Sequence, residues 1–122
     1  MQGIEETEDS DVVLLYDEVM KIHDDVMPKM QDISKLRREL RKKIPVVKDS
    51  SIVYSDILYL NKADDAMMDW MARFSEEYMS IQKKEDKISY LRNEIPAIEY
   101  VRDIMLESIA NAQRRLDSLN NL

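Results

Sequence analysis

A single imidazole and a set of thioethers are the groups in this chain best suited to chemistry. Met20, His23, Met27 and Met30 follow one another at steps of three, four and three, so on a helix they share one side. The chain holds nine methionines, and Met67, Met68 and Met71 make a second sulfur-rich segment around Trp70 that an antiparallel helix would turn toward the first. Thioether sulfur with one imidazole is a donor set for Cu(I), and a methionine–histidine pair can ligate a haem iron in a bundle core. The same residues also serve packing. Methionine fills irregular gaps, and a proline such as Pro28 inside a helical stretch creates them. A hydrogen-bonded histidine beside a core tryptophan is the stronger reading, so no catalytic, cofactor or metal residue is assigned and no enzyme activity is expected.

Other chemistries fare worse. Asp24 and Asp25, next to His23, would repel an incoming phosphoryl group, which argues against phosphotransfer on the imidazole. The acid pairs Asp24-Asp25, Asp64-Asp65 and Glu76-Glu77 point about 100° apart on a helix, so neither member converges with its neighbour as acid and base would. The chain has no cysteine, which excludes thiolate ligation, thiol catalysis and disulfides. Its only glycine is Gly3, which leaves no loop able to cradle phosphate through close backbone approach. A net charge of −7 argues against a general nucleic-acid binder. The exception is the stretch from Lys35 to Lys48, with seven basic residues and the one acid Glu39. It complements the C-terminal end of a helix dipole, and it could also touch an anionic surface.

Three long amphipathic helices would position these residues. Residues 1–10 form an acidic leader too poor in apolar side chains to offset its ordering entropy, and it is expected to be flexible. Residues 11–122 read as one helical-bundle domain. The first stripe runs through Val12, Leu15, Val19, Ile22, Val26, Met30, Ile33, Leu36, Leu40 and Ile44, and Pro45 closes it. Pro28 interrupts its middle without shifting its phase, which reads as a bend. The second stripe follows a cap at Asp49-Ser50 and passes through Val53, Ile57, Leu60, Ala63, Met67, Trp70 with Met71, Phe74, Tyr78 and Ile81. The polar run from Gln82 to Lys87 is its best turn, and a short extra helix near residues 75–85 is the alternative. The third stripe takes Ile88, Leu91, Ile95, Ile98, Val101, Met105, Ile109, Ala112, Leu116 and Leu119, with Pro96 either a kink or the true start. Short turns between such helices predict an all-α, up-down-up three-helix bundle. On the second helix Tyr54, Tyr59, Met68 and Met79 fall beyond the seam, so some apolar surface is left for a partner or for covering helix ends.

The segments Tyr16-Asp-Glu-Val-Met-Lys-Ile-His-Asp-Asp-Val-Met-Pro-Lys-Met30 and Asp65-Ala-Met-Met-Asp-Trp-Met-Ala-Arg-Phe74 resemble small Bacteroidetes-type lipoproteins, some labelled "viral A-type inclusion protein". The third helix, ending Ser108-Ile-Ala-Asn-Ala-Gln-Arg-Arg-Leu116, is similar in style. The resemblance implies a signal peptide and a lipidated cysteine upstream of the acidic leader. It also implies a cell-envelope location, in the periplasm or at the outer-membrane face, with membrane contact only through that lipid anchor. It supplies no catalytic residues. The expectation is a non-enzymatic, methionine-rich helical bundle of the envelope, acting in protein interaction or structure. Its partner would be an unidentified protein or a second copy, and not nucleic acid. The alternative is a metal- or haem-binding bundle using the Met/His cluster of the first two helices.

Overall fold

A computed structural model describes the backbone of residues 2–121 and the side chains of residues 10–121. The elements are α1 (Gln2–Val26), α2 (Lys29–Lys43), a short 3-10 turn (Ile44–Val46), α3 (Ser51–Ser80) and α4 (Lys84–Asn120). The described residues contain no strand, and the fold is the expected all-α bundle. The acidic leader expected over residues 1–10 lies, Ser10 apart, outside the residues whose side chains are described.

Helices α1 and α2 form one bent arm. Pro28 has no N–H and its ring crowds the carbonyl of Asp24, so the α-helical ladder cannot pass through it. The backbone tightens instead: the N–H of Met30 donates to the Met27 carbonyl at 3.0 Å and that of Gln31 to the Pro28 carbonyl at 3.2 Å. Pro28 keeps helical angles, φ −60° and ψ −22°, and the apolar phase survives the interruption. Pro96 behaves differently. It lies inside an unbroken α4 that begins well before it, so it marks no helix start. Both prolines are exposed, on the side where a helix can lose a bond and curve around its core.

The extra helix near residues 75–85 does not form. Helix α3 continues to Ser80 and only Ile81, Gln82 and Lys83 connect it to α4. Two bonds end α3: the Ser80 hydroxyl donates to the Glu77 carbonyl at 2.7 Å, and the Ile81 N–H donates to Tyr78 at 3.2 Å. Ile81 then turns extended, at φ −85° and ψ 126°.

Cross-helix contacts fix the topology. Arg37 meets Asn61 and Asp64, His23 meets Trp70, and Tyr16 meets Phe74 and Tyr78, so α3 runs antiparallel to the first arm. Arg73 meets Glu94 and Arg115 meets Asp56, so α4 runs antiparallel to α3. Helix α4 packs against all three others, and α2 also packs on α3. The buried residues of α4 are Leu91, Glu94, Ile98, Val101, Met105, Ser108, Ala112 and Leu116. From Leu91 to Ala112 their steps alternate between three and four, the 3.5-residue period of a left-handed supercoil, and Leu116 follows at a second step of four. Ile95 and Ile109, expected on this seam, flank it partly buried, while Glu94 and Ser108 take the central positions. The Ser108 hydroxyl is satisfied locally, donating to the Met105 carbonyl at 2.9 Å.

The start of α3 is held by Asp49. Ser50 makes no side-chain cap bond, whereas an Asp49 carboxylate oxygen accepts from the Ser51 N–H at 3.0 Å and from the Ser51 hydroxyl. Those two bonds, the hydroxyl's first, hold the Asp49 carboxyl below the ordinary carboxylate range. A lowered pKa contributes stability that is present above the unfolded value and lost as pH falls through the folded one. Asp49→Ala should therefore lower the thermal midpoint at neutral pH, and the deficit should vanish on acidification. Asp49→Asn, which keeps an acceptor oxygen, should show a smaller deficit in the same circular-dichroism melts.

Candidate functional site

The residues of greatest chemical interest gather where α1, α3 and the first half of α4 meet. Spacings of four place Trp70, Phe74 and Tyr78 above one another on α3. Trp70 stacks on Phe74 with ring centroids 4.8 Å apart, and Phe74 on Tyr78 at 5.4 Å and an interplanar angle of 3°. Helix α1 lays Tyr16 against Tyr78 at 5.4 Å and His23, two turns further on, against Trp70 at 5.9 Å. Helix α4 adds Tyr90, 6.0 Å from Phe74 and 6.3 Å from Tyr78. Lys87 caps the ladder, its ammonium 5.7 Å from the Tyr78 ring centre.

His23 sits at the edge of this ladder. Its side chain is 14% exposed and its Nδ1 lies 3.0 Å from an oxygen of Asp24. Met20, Met27, Met30 and Met71 pack partly buried against the core, and Met67 and Met105 are fully inside it. Met68 does not face the first helix as expected. It is 49% exposed, because a helix that turns Met67 and Met71 inward carries the residue between them about 100° away. Two shallow grooves lie elsewhere on the surface, along Asp69, Arg73 and Glu76 on α3 and between Asp56, Tyr59 and Asn111 of α3 and α4. Among the described residues, no group of three or more His, Cys, Asp or Glu side chains is placed to hold a metal ion. The adjacent acids Asp24 and Asp25 diverge: Asp24 turns to His23 while Asp25 pairs with Lys21 at 2.9 Å.

Sequence reasoning missed the polar group inside this junction. Glu94 is 4% exposed. Arg73 reaches it from α3 with two guanidinium nitrogens, one of them 3.1 Å from Oε2, and the Trp70 indole N–H donates to the same oxygen at 3.4 Å. Arg73 also donates to Glu77 at 3.2 Å, and the Tyr90 hydroxyl donates to Glu77 at 2.8 Å. Burial alone would raise the Glu94 carboxyl, but the Arg73 guanidinium, the nearby Tyr90 hydroxyl and the Trp70 indole bring it below the ordinary range. Burial first, and then the two carboxylates Glu77 and Glu94, push the Tyr90 hydroxyl well above its ordinary value. Every buried side-chain polar atom among the described residues has a partner.

This arrangement is chemically closed. Glu94 is buried, and its oxygens are taken by donors from Arg73 and Trp70. The signal that could have revealed it is its phase, three residues after Leu91 and four before Ile98, on the apolar seam of α4. No family model, curated protein or solved structure matches the chain.

Proposed function

We propose that the protein is a non-enzymatic helical bundle of the cell envelope whose outer α3–α4 face meets a protein partner or a second copy. One observation carries the interaction reading. The core is complete and its polar groups are satisfied, yet Tyr54, Leu58, Met68 and Tyr100 stand half or more exposed, or nearly so, on α3 and α4. Leu58 and Tyr59 line a shallow groove with Lys62, Glu107 and Asn111. Burial, the Glu107 carboxylate and Tyr100 raise the Tyr59 hydroxyl above its ordinary value. Aromatic and aliphatic groups rimmed by charge have the composition of a transient interface. The likeness of Tyr16–Met30 and Asp65–Phe74 to lipoprotein segments supports the envelope address.

The double variant Leu58→Asp/Tyr100→Asp tests this reading. It should keep its helical circular dichroism while losing either the self-association seen by sedimentation velocity or the proteins retained from an envelope extract. A wild-type chain that stays monomeric and retains the same proteins as the variant would remove the α3–α4 face from consideration.

A further inference from the structure

The end of the bundle between α2 and α3 differs from the rest of the surface. Lys35 to Lys48 concentrates seven basic residues and one acid in a chain of net charge −7. The dipole of α2 explains why cations gather near its last carbonyls. It does not explain their relation to the turn that follows. Ile44 and Val47 fold inward onto the core, with the Val47 N–H on the Lys43 carbonyl at 3.2 Å. Pinned at both sides, the turn drives Pro45 and Val46 outward, and Val46 is 75% exposed.

The cations around this apex are largely uncommitted. Arg37 faces inward and is held by Asn61 and Asp64, and Lys42 lies 3.2 Å from Glu39. Among the described residues, Arg38, Arg41, Lys43 and Lys48 form no ion pair, and all but the half-buried Lys43 are exposed. Asp49, the one acid in the turn itself, is occupied at the start of α3.

We propose that this turn docks the bundle end-on to an anionic phospholipid surface. Pro45 and Val46 enter the headgroup–acyl boundary, and Arg38, Arg41, Lys43 and Lys48 meet the lipid phosphates. The shape and chemistry favour lipid over other polyanions. The turn from Ile44 to Ser50 carries no aromatic side chain on which a base could stack, and its exposed tip is aliphatic. Aliphatic groups ringed by cations match a surface that is apolar below a layer of phosphate. The site is separate from the α3–α4 face, so each can fail without the other.

Co-sedimentation of the full chain with vesicles tests the proposal, using phosphatidylcholine alone and phosphatidylcholine mixed with phosphatidylglycerol. The chain should partition onto the anionic vesicles only, and less so at high salt. Each cation near an anionic leaflet contributes about fivefold in partition, so Arg41→Glu/Lys48→Glu should reduce binding by at least about 25-fold. Val46→Asp should weaken it with all charges on α2 intact, and Leu58→Asp/Tyr100→Asp should bind as wild type. Circular dichroism of each variant confirms that the helices persist. Equal partition into neutral vesicles, or binding unchanged by the charge reversal, overturns the proposal. So does tip-dependent binding of duplex DNA or polyglutamate without vesicle binding.

Discussion

Arg73→Leu is expected to cost about 3 kcal/mol of unfolding free energy at neutral pH, and Glu94→Leu distinctly less. The asymmetry follows from burial, since the Glu94 side chain is 5% exposed and that of Arg73 43%. Without Arg73, a carboxylate in the core keeps only the long Trp70 bond and the nearby Tyr90 hydroxyl against a burial that pushes its pKa up. Without Glu94, the guanidinium still reaches solvent and Glu77. Partial exposure of Arg73 keeps the figure at the lower end of what breaking a buried pair costs. Replacing both residues by leucine should recover most of the loss, because an apolar pair needs no desolvation. The pH dependence has a definite sign. In the wild type the lowered Glu94 pKa gives stability that is present above the ordinary carboxylate range and lost as pH falls through the native value. In Arg73→Leu the raised value favours the neutral acid, so the variant gains relative stability on acidification. Urea unfolding should show the gap narrowing from neutral to acid pH. Equal costs for the two single variants at every pH would mean that the pair acts through packing alone.

The apolar framework was legible because each helix repeats it many times. Val53, Ile57, Leu60, Met67, Trp70 and Phe74 on α3, and Leu91, Ile98, Val101 and Met105 on α4, are buried where the periodicity put them. Glu94 was not legible in the same way. A glutamate in phase with an apolar stripe reads as an interruption until its cation is known. That cation, Arg73, lies on another helix and meets it only through the register of α3 on α4. The two prolines show a similar limit. Sequence gives each the same missing donor, but α4 is packed on every other helix and stays continuous at Pro96, while the first arm bends at Pro28. The turn at Ile81–Lys83 carries no glycine or proline. Its signal is a serine hydroxyl on a last-turn carbonyl, and serine does this in many places that are not helix ends. Met68 is a matter of phase alone: counting sulfur atoms in a segment does not say which of them turn inward.

Trp70→Ala should be more damaging still, at about 4 kcal/mol, with a thermal midpoint lower by roughly 10 °C or more. Trp70 is 4% exposed and is touched from all three arms of the bundle: by His23 of α1, by Phe74 of its own helix and by Glu94 of α4. Truncation would open a cavity that its neighbours cannot readily fill. Phe74 is fixed between Tyr16, Tyr78 and Tyr90, and His23 is tied to Asp24. Glu94 would lose a donor as well. Trp70→Phe keeps an aromatic face for His23 and Phe74 and loses chiefly the 3.4 Å indole bond, so it should cost about 1 kcal/mol beyond its smaller volume. Met68→Ala, two residues earlier and half exposed, should change stability by less than about 0.5 kcal/mol. Alanine is a better helix former than either tryptophan or methionine, so differences in helix propensity cannot produce that order. Only the position of the side chain relative to the junction can. Should Met68→Ala prove as costly as Trp70→Ala in urea unfolding, the ring ladder would not be what joins the three arms at this level.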